Sequence, residues 1–488
     1  MKAIIGVFLV LAAFLSGICM AAGGNMGGAS QDGSAAHPWL IEDFEDFQEF
    51  CVDPNYWGQG VSTQLECDLN LDPNLPGREV YTHAPIAAAT KTLLGHEGTA
   101  FSGIFNGNNH TISNLSLNGI DYCGLFGITG SSCYILNLGV INVSVTGSGT
   151  YVGGLVGDNY AHVTKCYSTG SVAGNERVGG LVGRTSCFSI YRYSMGNLTN
   201  CHSMGVVNSS GGYAGGLAGE IGYCIIANSS SSAVVNCSGN CSGGLAGQNY
   251  GKISCCYSIG DVDSSGYDVG GLVGLSYNNG RISNCYSTGS ITGAYDVGGL
   301  VGDNDPYAVV NNCYSIGSVN GTSLVGGLIG ENEGSVFNSY WDVETSAQLT
   351  SSGGQPKTTI QMKDSSTFIG WNDGNWTVNS FYDYPRLMWE NEIGSVIRTD
   401  YPLATYMGTG TVSDPFVLST SSDVVSMSQR IPDWSGYFIL ANDIDMTNTT
   451  YVPVVDFPGN FDGLSHSINN LTIEPVRDSI FSYLSFVG

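Results

Sequence analysis

Positive charge is scarce in this chain: 15 Lys and Arg stand against 41 Asp and Glu in 488 residues, a formal net charge of −26. A chain so short of base cannot neutralise a phosphate backbone, which argues against nucleic-acid binding, and anionic membrane surfaces repel it. Histidine is scarcer still, with seven, and His96-Glu97 has no second histidine four residues after the first, so no zincin helix exists. No Cys-x-x-Cys pair occurs, and the repeat described below has no sustained 3.6-residue period. Beyond the N-terminus no segment is apolar enough to cross a bilayer. These absences argue against metalloprotease chemistry, dithiol redox chemistry, a helical bundle and a later membrane span.

What the chain has instead is glycine, 70 residues of it, about twice the usual share of roughly 7%. The N-terminus reads as an export signal (1–22): Lys2 supplies the charge, Ile4 to Leu15 the apolar run, and Ala21 or Ala22 the cleavage point. Of 15 cysteines, 14 remain after that cleavage, an even count that suggests disulfides in an exported chain.

The glycines mark a repeat. Gly153-Gly154-Leu155-Val156-Gly157 recurs from Gly179, Gly215, Gly243, Gly270, Gly298 and Gly326, with a degenerate copy at Cys123-Gly124-Leu125-Phe126-Gly127. About a dozen residues later a second motif follows, as in Asn284-Cys285-Tyr286-Ser287 and Asn312-Cys313-Tyr314-Ser315. Short alternating stretches bounded by glycine are strand grammar. One unit of this length cannot bury a core alone, but units stacked in register at about 4.8 Å can. The expected fold is all-β, a β-solenoid of ~28-residue coils with β-rich lead-in and closing segments. Right-handed winding is the expectation, although sequence does not fix the hand. Leu155, Leu181, Leu217, Leu245, Leu272, Leu300 and Leu328 should point inward.

These two motifs resemble the GLUG-motif proteins of bacterial and archaeal surfaces, over about residues 120 to 345. The resemblance implies an exported, adhesin-like repeat protein; such repeats also occur beside some surface peptidases, and the family has no shared catalytic residues to carry over. The expected organisation is signal 1–22, linker 23–36, acidic lead-in unit 37–122, repeat array 123–345, closing segment 346–400 and a second lead-in unit 401–488. The last rests on Phe101 to Leu117, which aligns without a gap with Phe457 to Ile473. That unit has little to stack on it, so a partner, another copy or a longer protein is expected to cover it.

Candidate sites are few. The residue after each glycine block is Asp158, Arg184, Glu220, Gln248, Leu275, Asp303 and Glu331, and Asn159, Asn249, Asn304 and Asn332 follow four of these. Turn chemistry explains most of that row; Asp158, Asp303 and Glu331 are the candidates for Ca²⁺ between coils, and no other cofactor is expected. Tyr167, Tyr257, Tyr286 and Tyr314 share one slot, which either packs or offers a row of rings to a sugar. Cys166, Cys201, Cys256, Cys285 and Cys313 share another. Their stacked Cα atoms lie within disulfide range, but parallel side chains favour an inward ladder of thiols. A Cys51–Cys67 bridge stays open. His110 and His466 match between the two lead-in units and read as turn or packing residues, since no acid recurs beside both. The expected function is a secreted or cell-surface structural protein, adhesin-like and without catalysis, whose partner is a surface glycan, a protein or another copy. The alternative is a carbohydrate-binding or carbohydrate-cleaving β-helix.

Overall fold

The computed structural model describes residues 30–473 apart from 94, 188–195, 369, 372–373, 381, 392–394, 398–404, 430–432, 434–435 and 452–458. The expected signal, Phe457 and the last fifteen residues lie outside these. The chain divides into two compact units, 1–356 and 357–488.

The first unit is a β-solenoid of parallel coils. One face is an 11-stranded sheet running from Trp39–Ile41 to Ser335–Phe337, and another is an 8-stranded sheet from Phe126–Ile128 to Ile329–Asn332. Between them run the strands that carry the Cys-Tyr-Ser motif, again paired coil to coil in parallel. Stacked partners lie 26 to 29 residues apart through most of the array and 35 apart in the coil that joins Thr164 to Thr199. All seven repeat leucines are fully buried. All but the last also donate the backbone N–H to the carbonyl of the leucine one coil on, from Leu155→Leu181 (2.9 Å) to Leu300→Leu328 (2.8 Å), so side-chain file and backbone ladder share one register.

The glycine blocks are explained by proximity rather than by dihedral angle. None of their glycines has positive φ. A Cβ on Gly157 would instead lie 2.6 Å from the backbone carbon of Tyr122, and one on Gly274 would lie 2.5 Å from the backbone nitrogen of Ser242. Real Cβ atoms do not approach so closely, so only glycine fits. The second motif locks the same corner: Ser203 Oγ donates to the Gly216 carbonyl (2.6 Å) and Ser315 Oγ to that of Gly327 (2.7 Å). The asparagine before the cysteine, or before Ser339 in the last copy, has its own cause. Asn200, Asn284, Asn312 and Asn338 all have φ between 44° and 54°, a left-handed conformation that asparagine tolerates better than most residues.

The lead-in unit is continuous with the array. Trp39–Ile41, Ser62–Leu65 and Ile104–Asn106 are the first three strands of the 11-stranded sheet, so coiling begins before the first glycine block. The helix Phe44–Val52, capped by the Asp43 side chain, buries Phe44, Phe47 and Phe50 in the same core.

The second unit holds a small antiparallel sheet, Trp376–Val378 with Arg386–Leu387 and Ser395–Val396. It also holds a second version of the lead-in pattern. A strand (Phe416–Leu418), a helix (Ser421–Gln429) and the strands Tyr437–Leu440 and Asn460–Asp462 follow in order, the strands paired in parallel. Phe461 pairs through Phe438 as Phe105 pairs through Thr63, and Ile468 meets Ile444 as Ile112 meets Leu69. Burial differs: Phe105 and Ile112 are fully buried, Phe461 and Ile468 only partly. Phe126 covers Phe105 at 5.5 Å; its counterpart falls beyond residue 473, outside the described residues.

Leu272→Ala should lower stability by about 2–5 kcal/mol through lost burial and a cavity. Gly274→Ala, which removes nothing, should also destabilise, by about 1–3 kcal/mol or more, because backbone must move. Urea midpoints check both; an unchanged midpoint for Gly274→Ala would contradict the close-approach explanation.

Candidate functional site

The residues with chemical potential gather along one side of the solenoid in two adjacent files. The first is the corner before each glycine block: Tyr122, Tyr151, Arg177, Tyr213, Cys241, Asp268, Asp296 and Leu324, every one with positive φ between 51° and 67°. Left-handed backbone at a non-glycine residue is uncommon, and here it recurs in every coil while the side chain changes. The second file is the row read from sequence. Parallel register sets Asp158 beside Arg184, Arg184 beside Glu220, Glu220 beside Gln248, Gln248 beside Leu275, Leu275 beside Asp303, and Asp303 beside Glu331.

In the early coils charges are paired, once within the second file and once between the two files. Arg184 grips Asp158 with two nitrogens, at 2.8 and 2.7 Å, donates to the Tyr160 hydroxyl at 2.7 Å, and lies 4.6 Å from the Tyr151 ring centroid. Burial pushes the Asp158 carboxyl up and opposes charge on Arg184, but the hydrogen bonds and attraction from Asp158 win and hold the guanidinium above its usual range. The two-point contact is that of an ionised pair. Arg177 donates to Glu220 through one nitrogen and lies 4.9 Å from the Tyr213 ring. Asp158 is therefore engaged by the chain's own arginine, which removes it from the expected Ca²⁺ row.

In the late coils the charged members of the same two files are all acids, with Leu275 and Leu324 among them. Burial, then Asp268, raises Asp303 from 3.8 to about 7; burial, then Asp268, raises Asp296 to about 6. Asp268 and Asp305 are raised too, burial being the largest cause for each, and the charges that push up all four are carboxylates. The corner residue Asp296 is 9% exposed, and its Oδ1 is shut from solvent without accepting a hydrogen bond. Cys241 Sγ donates to Asp268 at 3.3 Å. Two exposed tyrosines, Tyr267 and Tyr295, stack 4.9 Å apart beside this corner.

Asn159, Asn249, Asn304 and Asn332 do not extend the carboxylate row. Asn159 and Asn249 receive N–H from the residue two further on, as turn asparagines do, and Asn159 and Asn304 reach across coils to Thr185 and Asn332. The tyrosine slot needs correction as a sugar platform. Tyr257, Tyr286 and Tyr314 stack 5.0 Å apart, but Tyr286 and Tyr314 are fully buried and present no free ring face. Tyr167 and Tyr257 are half-buried, with one face of each against His202 and Tyr286. The cysteine slot faces inward: Cys166, Cys201, Cys256, Cys285 and Cys313 are buried free thiols. Burial pushes Cys201 up to about 12 and Cys166, Cys256 and Cys285 well above their ordinary value, which disfavours the thiolate at all four. Cys51 and Cys67 are free as well.

The two histidines do have a recurring acidic partner, contrary to the sequence reading. His110 Nδ1 lies 3.3 Å from Asp68, and His466 Nδ1 lies 3.6 Å from Asp443. Each aspartate also accepts the N–H of the residue after its histidine, Thr111 or Ser467, at 2.8 Å. The signal in the sequence was Asp68-Leu69-Asn70-Leu71 against Asp443-Ile444-Asp445-Met446, tens of residues away from each histidine. A cleft of about 460 Å³ lies by Trp57, Gln59, Ser102 and Ser131, and no titratable side chain lines it. Among the described residues no group of three or more His, Cys, Asp or Glu is arranged to hold a metal ion.

With this geometry in place, comparison with known proteins adds a motif assignment. The model of the GLUG motif matches residues 148–173 and 265–292, each spanning a glycine corner or leading up to one. The chain carries the GLUG motif. Halomucin of Haloquadratum walsbyi is 30% identical over 214 residues, 39% of this chain and 2% of halomucin. A protein of Evansella cellulosilytica, provisionally named a Gly-rich membrane protein, is 33% identical over 428 residues, 73% of this chain and 45% of that protein. The chain thus spans less than half the length of either relative. A crystal structure from Bacteroides ovatus, provisionally named an immunoglobulin A1 protease, aligns over 75% of this GLUG-motif chain and 97% of its own, at 19% identity and a TM-score of 0.40.

The paired files respond differently to substitution and to pH. Arg184→Ala leaves Asp158 buried at 2% exposure without its cation, and should cost about 3–5 kcal/mol in urea unfolding. The late carboxylates give the opposite pH sign to a salt bridge. Their folded pKa values are raised above the unfolded 3.8. Their contribution is therefore complete below about pH 4 and is lost as pH rises through 6 and 7. Asp296→Asn with Asp303→Asn should raise the unfolding midpoint at about pH 8 and flatten its fall from about pH 5; a variant that follows the wild-type pH curve would contradict this.

Proposed function

We propose that the chain is a non-catalytic structural repeat protein of the cell surface, adhesin-like in that it displays variable side chains from a fixed coil. One observation carries this reading. The positions that recur between coils are inward or corner-forming: the leucine file, the glycine corner, the buried cysteine and the serine that ties it to glycine. The two side files, whose members are buried or half-buried except at Leu324, change identity from coil to coil, through Asp, Arg, Glu, Gln and Leu in one and Tyr, Arg, Cys, Asp and Leu in the other. A repeat kept for catalysis would hold its reactive groups fixed in one place; here the scaffold is repeated and the side files are free to vary.

Likeness to halomucin and to a protein named for a membrane supports a surface location. So do the export-type N-terminus and the excess of 41 acids over 15 bases, which keeps an extended glycine-rich surface soluble. No helix among the described residues is long and apolar enough to cross a membrane.

The test uses intact cells making the full chain with an epitope tag. Protease added outside should remove the tag signal while a cytoplasmic marker survives, and the purified chain should release no product from polysaccharides or proteins. Complete protection of the tag, or turnover abolished by a point substitution, would overturn the reading.

A further inference from the structure

The early and late coils use the same two files in opposite ways. At Arg184 and Arg177 the chain supplies a guanidinium to the carboxylates of Asp158 and Glu220, and a tyrosine ring lies beside each guanidinium. At the equivalent places in the late coils stand Asp268, Asp296, Asp303 and Glu331, and no guanidinium. Asp296 is the telling residue. It is nine-tenths buried, its Oδ1 accepts nothing, its one side-chain hydrogen-bond partner is another acid, Glu331, and the charges that act on it are Asp268 and Glu331. A buried acceptor among like charges is costly. Asp303 and Glu331 beside it are only partly buried, so the file is reachable from solvent.

We propose that the file of Asp268, Asp296, Asp303 and Glu331 is a docking surface for an arginine-bearing segment of a partner protein. The guanidinium would take the place that Arg184 and Arg177 hold in the early coils. A planar fork with five donors suits carboxylates strung along a file, whereas lysine offers a point charge. The Tyr267–Tyr295 stack, next to Asp268 and Asp296 in sequence, is exposed and would offer ring surface to an arginine side chain. A divalent cation fits less well, since the described residues gather no group of three or more donors around one point. The proposal gives the surface reading a partner chemistry. It is measured on purified protein, so it and the cellular location fail separately.

The experiment is titration of the purified full chain with a labelled Arg-Gly repeat peptide at physiological salt, with a Lys-Gly repeat peptide as control. The arginine peptide should bind saturably and at least about tenfold more tightly than the lysine peptide. Asp296→Asn with Asp303→Asn should weaken it by about tenfold or more. Leu275→Arg should do the same while keeping the fold, because it puts a guanidinium beside Asp303 as Arg184 sits beside Asp158. Asp263→Asn, an exposed acid away from the two files, should leave affinity unchanged and so separate the site from net charge. Equal affinity for the double variant, or equal affinity for the two peptides, would overturn the proposal. Saturable Ca²⁺ binding that the double variant loses and that excludes the peptide would overturn it in favour of a metal site.

Discussion

Where each coil turns at its glycine block, backbone packs on backbone with no space for a Cβ, as the close approaches at Gly157, Gly274 and Gly302 show. The rest of the solenoid depends on that contact. It brings the leucines of successive coils close enough to bond through their backbones, and the serine of the Cys-Tyr-Ser motif fastens the same corner from the opposite strand. Because the corner is fixed, length can vary elsewhere. The coil lengthened to 35 residues between Thr164 and Thr199 still sets Gly179 beside Gly215.

A fixed corner also explains the freedom of the surface. The residue two before each glycine pair is held at positive φ by its surroundings whatever its type, from Tyr151 to Leu324. Side chains there can change without altering the path of the chain, at a modest cost in backbone strain. The early coils use that freedom to pair arginine with carboxylate and the late coils to gather carboxylates. One scaffold thereby carries an internally neutralised stretch and an uncompensated acidic one, within a chain whose overall balance is strongly acidic.

Much of this was legible in the sequence, for a physical reason. Inward positions tolerate few residue types, so the leucine file, the cysteine slot and the glycine blocks repeat in identity and reveal the coil. The lead-in coils were not legible as part of the same sheet. Trp39, Thr63 and Phe105 share a register without glycine blocks or a constant spacing. The corner file was missed because its common property is a backbone angle, which Tyr, Arg, Cys, Asp and Leu do not announce. The partners of His110 and His466 were missed because a stacked neighbour lies one coil away, 42 residues in the case of Asp68. Tyr286 and Tyr314 were seen as a file, but a file's period does not say whether its rings are covered.

One backbone-bonded leucine ladder runs through the array as a single cooperative element, and hydrogen exchange on the full chain tests this most directly. The amides of Leu155, Leu181, Leu217, Leu245, Leu272 and Leu300 each donate to the leucine of the next coil, and should be the slowest to exchange, opening together. Exchange of these amides as fast as that of the turn at 278–280 would contradict it.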